Sequence, residues 1–301
     1  MKGINCLLTI SCLLISLLPG QSQVVGVKIG NHIEVSVNGN LFTQYIFSDD
    51  EKYPFFFPVN GPSGFGMTSM RNGLYPHHTS LFFGCDRVNG GNWWQEGLDR
   101  GQIKSLRAEI LKSGKDSVVI ENECIWWRPG AESPIRDLRT ITITAPAKEY
   151  NQIDFVIRLD MLTDVKIEKT NHSLFSVRMA PDLSAANGGK MINAEGNSGE
   201  QGEQGTFGKS SPWMDGYGVR NGKTEGLAIF QHPSNPWYPS PWFTRDYGFM
   251  SPTPMYFPKD EKAGTQFKKG DVLKLRYRVI IHAGDPVEAA ITEKFRKYAM
   301  E

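Results

Sequence analysis

Three stretches of the sequence hold residue types that can move protons or steady a charged oxygen. The first is Tyr75-Pro76-His77-His78-Thr79-Ser80, running into Leu81-Phe82-Phe83-Gly84. Imidazole titrates near neutrality, so a histidine here can serve as acid or base. If Pro76 opens a strand, neighbouring side chains point to opposite faces. One metal ion could then hardly take both, and one histidine is expected to face a site while the other packs elsewhere. A pair of hydrogen-bonded loop histidines is the plainer alternative. The second stretch runs from Asp86 to Trp94 and contains Asn92, Trp93 and Trp94. Paired indoles in a Gly/Asn loop can form an apolar platform with amide partners beside it. That combination suits a sugar ring, whose C–H faces stack while its hydroxyls need hydrogen bonds; an aromatic plug at a sheet end is the alternative.

The third stretch runs from Gln231-His232-Pro233 to Trp242-Phe243-Thr244-Arg245-Asp246-Tyr247-Gly248. Its prolines reduce the entropy lost on fixing a loop. His232 could shuttle a proton, Arg245 could hold a carboxylate or an oxyanion, and Tyr247 could donate to a substrate oxygen. Trp242 and Asp246 would line the same stretch, unless Arg245 and Asp246 form a structural pair. Arg178 and Asp215 are smaller candidates. Arg276, Arg278 and His282 share one side of the last strand, opposite its apolar set, which is usually a solvated face.

These groups need elements to hold them, and the composition points to strands. The 301 residues include 31 Gly, 18 Pro and 11% aromatics, a mixture of turn formers and ring side chains that reads as β-rich with long ordered loops. Val24 to Ile29, His32 to Val37 and Leu41 to Ile46 are expected to form a meander, turning at Gly30-Asn31 and Asn38-Gly39. Val118 to Trp127 is a long strand. Ile153, Phe155, Ile157, Leu159 and Met161 alternate with polar residues, as do Leu273, Leu275, Tyr277, Val279 and Ile281. One helix is expected, capped by Asp285 and Glu288 with Pro286 at its start, and with Val287, Ala290, Ile291 and Tyr298 on one face. Asn187 to Ser211 reads as a long loop with Gly at every third position from Gly196 to Gly208, and Gln231 to Pro258 as an irregular segment. The fold class is therefore all-β: a large antiparallel β-sandwich over residues 23–301, as a single domain with one C-terminal helix.

Lys2, the apolar run Ile4 to Leu18 and the small residues before position 23 have the form of a secretory signal peptide, residues 1–22. The run is shorter than the ~20 residues of a membrane span, and no later segment is apolar enough to span. Loss of Lys2 leaves 32 basic and 32 acidic residues. Such balance argues against a nucleic-acid partner, which needs a concentrated basic footprint. The exported chain keeps Cys85 and Cys124, which either pair or remain buried thiols. There is no Gly-x-Ser-x-Gly elbow, His-Glu-x-x-His, phosphate loop or zinc-spaced cysteine pair. No pair of carboxylates stands out for two-acid glycoside hydrolysis.

Taken together, Tyr75-Pro76-His77-His78 through Phe83-Gly84, Trp93-Trp94, and the block from Ala228-Ile229-Phe230-Gln231-His232-Pro233 to Arg245-Asp246-Tyr247-Gly248 resemble a bacterial family of exported proteins of unknown function, often labelled "methane oxygenase PmoA". A methane monooxygenase subunit of that name would span the membrane several times, so the label does not describe this chain. The resemblance implies a galactose-mutarotase-like supersandwich in the periplasm or outside the cell of a Gram-negative, polysaccharide-degrading bacterium. It also marks His77, His78, His232, Arg245, Asp246 and Tyr247. Many relatives place a histidine where this chain has Phe243-Thr244.

The expected function is that of a carbohydrate-active protein using general acid–base chemistry for epimerisation, elimination or hydrolysis. In that reading His77 or His78 moves protons with His232, Arg245 and Tyr247 hold the developing negative oxygen, and Trp93 or Trp94 stacks on the ring. Asn92, Arg178, Asp215, Trp242 and Asp246 complete the binding set. No cofactor is expected. The alternatives are a glycan-binding protein without catalysis, and a metal site built from His77 or His78, His232 and Asp246.

Overall fold

The computed structural model describes residues 22–95, 97–256 and 264–301. The expected signal segment before Ser22 and the last two residues of the segment ending at Pro258 lie outside them. Two eight-stranded antiparallel sheets dominate. Sheet I runs, edge to edge, Val24–Ile29, His32–Val37, Asn40–Ile46, Phe55–Val59, Leu81–Cys85, Ser173–Arg178, Phe249–Pro252 and Trp242–Arg245. Sheet II runs Lys190–Asn193, Trp213–Arg220, Lys223–Gln231, Val272–Ala283, Tyr150–Met161, Ile135–Ala147, Ser117–Trp127 and Gln102–Lys112. The opening meander and the long alternating strands form, and His32–Val37, Tyr150–Met161 and Val272–Ala283 turn their apolar sets toward the other sheet, while Val24–Ile29 leaves Val27 and Ile29 exposed. Between the sheets, Phe175 stacks on Tyr277 with centroids 4.5 Å apart, and Phe155 meets Phe56 at 5.7 Å and Phe175 at 4.9 Å.

One end of this core is polar. Asp137 and Arg139 project from one strand into the interior, 0% and 3% exposed at their side chains. The Asp137 carboxylate accepts from Arg139 Nε at 2.8 Å and Nη2 at 3.0 Å, and from Trp126 Nε1 at 2.8 Å. Burial alone works against a charged guanidinium, but the adjacent carboxylate outweighs it and holds Arg139 protonated. Beside them Asn122 donates to the Tyr45 hydroxyl at 2.9 Å and accepts from Ser105 at 2.7 Å. Cys85 and Cys124 are free and buried, with burial raising both thiols, so the core holds them as unreactive apolar groups rather than as a disulfide.

Four expectations about elements change. The capping box forms, with Asp285 Oδ1 accepting from Glu288 N at 2.9 Å and Glu288 Oε2 accepting from Asp285 N at 3.1 Å. The turn it closes ends at Ala290, whose φ of 51° is left-handed, so the helix spans only Ile291–Tyr298. Val287 is consequently 85% exposed instead of packed with Ile291 and Tyr298. The Gly-rich stretch contributes the edge strand Lys190–Asn193, and the Pro-rich one contributes Trp242–Arg245 and Phe249–Pro252. These strands are too short for alternation to announce them. Finally, Arg276, Arg278 and His282 are not a solvated row. The C-terminal segment packs over them: Arg278 is paired with Asp154 and Glu301 and stands over the Tyr298 ring at 4.4 Å.

Asp137→Ala, which strands a buried cation, is expected to lower the unfolding free energy by about 3–5 kcal/mol, and the apolar double replacement Asp137→Leu/Arg139→Met to cost far less. Urea titration of the three proteins measures both; equal losses would contradict a paired charge at this position.

Candidate functional site

Residues facing each other across an antiparallel pair lie on the same side of the sheet. Arg178 faces Phe249, Ser176 faces Phe82, and Arg245 faces Phe249. All five therefore lie on the outer side of sheet I, away from sheet II. Solvent does not reach that side in the middle of the sheet. Loops and a hairpin cover it, and they bring three of the chain's six histidines together.

The hairpin pairs Met70–Asn72 with Tyr75–Thr79. Ser80, at a φ of 68°, bends the chain between this hairpin and the strand Leu81–Cys85, and its hydroxyl donates to Thr68 Oγ1 at 2.7 Å. The two histidines do not part to opposite sides as a flat strand requires. Their rings meet edge to face at 4.5 Å, and Tyr75 stacks on His78 at 5.1 Å. The hairpin is a two-stranded ribbon with a register shift beside Arg71, whose φ is 52°, and such ribbons twist strongly. The loop after Cys85 lies flat on the same side because position 84 has no side chain: a Cβ on Gly84 would come within 2.7 Å of the Trp93 carbonyl oxygen. This docking delivers Trp94 beside Phe82 at 4.8 Å and beside His172 at 5.5 Å.

His172 is held by Asp86. The Asp86 Oδ2 atom lies 3.1 Å from His172 Nδ1, and Thr170 Oγ1 donates to Asp86 Oδ1. A carboxylate can only accept, so Nδ1 carries a proton toward Asp86 and Nε2 is the ring nitrogen left for another partner. The His172 ring lies 5.8 Å from that of His77. The half-buried rim of the site is thus Tyr75, His77, His172 and Tyr247, over a buried floor of His78, Trp94, Arg178 and Phe249. Tyr247 stacks on Tyr75 at 4.4 Å, and His78 stacks on Phe249 at 4.6 Å.

The floor has unspent polarity. His78 Nδ1, Trp94 Nε1, and Arg178 Nε and Nη1 are all buried without a hydrogen-bond partner. Arg178 is held instead by the faces of Tyr247, at 4.1 Å, and Tyr75, at 5.5 Å. Burial, followed by the neighbouring His172, lowers the His77 pKa to about 4. Burial, then His77 and Arg178, lowers that of His78 to about 2. Both imidazoles are therefore neutral at pH 7. Burial pushes the Tyr247 hydroxyl well above its ordinary value, so it remains a donor.

Of the residues singled out in the sequence, His77, His78, Trp94, Arg178 and Tyr247 come together here. The others do not. His232 sits on the outer side of sheet II, 5.1 Å from the Tyr298 ring, with Arg276 Nη1 at 2.8 Å from its Nε2. Asp215 is on that side too, where its Oδ2 meets His282 Nε2 at 3.0 Å. Burial opposes charge on His282, but the Asp215 carboxylate outweighs it and raises the pKa. Arg245 shares the floor's side of sheet I but is paired with Glu200 at 3.0 Å and lies over Phe243 at 4.1 Å. Its expected alternative partner, Asp246, instead donates its backbone N–H to the same Glu200, at 2.9 Å. Trp93 and Trp242 are core residues, with indole N–H groups given to the carbonyls of Trp127 and Ser211. Asn92 caps its own loop by accepting from the N–H groups of Trp94 and Gln95. Thr244 of the Phe243-Thr244 pair bonds Thr206 Oγ1 at 2.9 Å.

With both sheets between His232 and the other two histidines, the proposed metal set cannot converge, and among the described residues no three His, Cys, Asp or Glu side chains are placed to hold an ion. His172 was missed, and Asp86, which opens the second stretch, was not given a role, because 86 residues separate the two and His172 stands in no motif. An open groove of about 580 Å³, bordered by Asn38, Asn40, Asn60, Asn151 and Lys148, has neither a histidine nor a carboxylate in its lining. The chemistry therefore concentrates at the histidines.

No helix among the described residues is long and apolar enough to cross a membrane. No match to a curated protein was found. Among solved structures, a candidate aldose 1-epimerase of Escherichia coli K12 aligns with 9% identity and a TM-score of 0.34, over 87% of this chain and 98% of that one. A second, from Klebsiella pneumoniae subsp. pneumoniae, aligns with 10% identity and a TM-score of 0.41, over 94% and 86%. Residues 32–296 match the family described as "Family of unknown function (DUF6807)", and the chain belongs to that family.

Proposed function

We propose that this is an exported carbohydrate-active protein that binds a sugar or glycoside on the outer side of sheet I and acts on it by general acid–base chemistry. The observation that carries this reading is the floor of the site. Four buried donor or acceptor atoms on His78, Trp94 and Arg178 lack partners, although nearly all such atoms in folded proteins have one. They lie among aromatic rings, and rings beside convergent polar atoms are what a sugar's C–H faces and hydroxyls require.

Proton transfer falls to His77 and His172. His77 is half-buried at the rim and neutral at pH 7, so its ring can take a proton from a substrate hydroxyl or an activated C–H. Asp86 orients His172 through Nδ1 and leaves its Nε2 for the substrate, which makes it the second proton carrier. Arg178 and the Trp94 N–H offer donors to an oxygen that gains charge. Epimerisation and elimination fit this set better than two-carboxylate hydrolysis, because Asp86 is committed to His172 and Thr170. Glycan binding without chemistry is the second reading, favoured by the engagement of His232 and Arg245 elsewhere.

With a panel of reducing sugars, glycosides and oligosaccharides followed by NMR, His77→Ala, His172→Ala and Arg178→Ala are each expected to reduce turnover by about 10²–10⁴-fold. Unchanged turnover in all three refutes the mechanism, and tight binding with no product selects the second reading.

The histidines also set a pH signature. His77 and His78 have lower pKa values folded than unfolded, so the unfolded chain binds more protons in mildly acid solution. Their contribution to stability is complete above the unfolded value of 6.5 and is lost as pH falls toward 4. The urea midpoint is expected to decline over that interval, and less steeply in His78→Gln. For a confirmed substrate, kcat/KM should persist from pH 7 to 5 and fall near 4; a fall centred at 6.5 would mean that His77 is not the base.

A further inference from the structure

Three arginines are buried among the described residues: Arg139, Arg178 and Arg278. Arg139 is paired with Asp137, and Arg278 with Asp154 and Glu301. Arg178, 4% exposed, has no acidic partner, and its guanidinium donates no hydrogen bond; its Nε and Nη1 are both shut off from solvent. The rings of Tyr247 and Tyr75 lie against its face, which leaves the N–H edge unused. A buried charge without a partner is costly, and chains that keep one have a counter-charge to receive.

We propose that the counter-charge is the carboxylate of the ligand, so that the site takes an acidic sugar: a uronic acid, free or as a residue of a short oligosaccharide. This rests on the reading of the site as a sugar site and narrows it. The guanidinium fork matches a carboxylate in shape, with two parallel N–H···O bonds. The count of charges selects a monoanion. His77 and His78 are neutral at pH 7 and Asp86 is bound to His172 and Thr170, so among the floor residues Arg178 is the one that supplies free charge. A phosphate ester would bring about two negative charges to that single cation. The rim rings of Tyr75 and Tyr247 then offer stacking surface to the sugar while its carboxylate reaches the floor.

The test uses the wild-type protein and Arg178→Met, with galacturonate, glucuronate and their short oligomers against the matching neutral hexoses and oligomers, by calorimetry and thermal unfolding. Wild type is expected to bind uronates about 10- to 100-fold more tightly than the neutral counterparts. Arg178→Met is expected to lose that preference. Without ligand it should unfold at the same or a higher temperature than wild type, because it removes an uncompensated buried charge. A lower melting temperature in the ligand-free variant would show that Arg178 already has its counter-charge within the protein, and would overturn the proposal. Equal binding of acidic and neutral sugars overturns the acidic class and leaves the sugar site standing. Binding of no saccharide in either set overturns the sugar reading itself, and tighter binding of inorganic phosphate than of uronates overturns the carboxylate assignment.

Discussion

Double burial of the middle of sheet I is the constraint from which the site follows. Every residue of Leu81–Cys85, Ser173–Arg178 and Phe249–Pro252 is buried. Antiparallel sheets commonly leave one face to water. Here the inner face meets sheet II through Phe175 and Tyr277, and the outer face, with Phe82 and Phe249, must be covered by something other than a sheet. The cover comes from the Tyr75 hairpin, the Trp94 loop, the turn before His172 and the turn at Tyr247. None of these is long enough to form a core of its own. They supply rings and polar tips, and their tips surround Arg178.

That arrangement makes Arg178 depend on its cover. Rings satisfy the face of a guanidinium but not its edge, so the fold leaves donors directed into a nearly dry floor. The same dryness keeps the two hairpin histidines neutral at pH 7. Asp86 acts differently: it fixes His172 through Nδ1 and leaves Nε2 free. A neutral pair and a third histidine anchored by a carboxylate thus share one small volume.

The outer side of sheet II was solved by a different device. The C-terminal segment covers it, and the polar groups there are paired: Arg278 with Asp154 and Glu301, His282 with Asp215, His232 with Arg276. Arg278, unlike Arg178, finds its counter-charges within the fold, although the buried Asp215 Oδ1 and Tyr298 hydroxyl lack a hydrogen-bond partner. The contrast with sheet I explains why residues of identical type are structural on one side and chemically available on the other.

Much of this was legible in the chain. Period-2 alternation from Ile153 to Met161 and from Leu273 to Ile281, with Asn-Gly and Gly-Asn turns, determined an antiparallel sandwich, because burying one side of a strand requires that pattern. The His77-His78 run and Gly84 marked one wall of the site. The sequence did not decide which distant groups would join it. His232 looked like the natural partner, and a covered side of the other sheet took it; His172 carried no local signal, and nothing near Asp86 pointed to it. Alternation is a property of neighbours along the chain, so sequence reports it. Which face a strand shares, which loop covers it and which charge goes unpaired depend on contacts between residues far apart in the chain, and only the tertiary structure sets those.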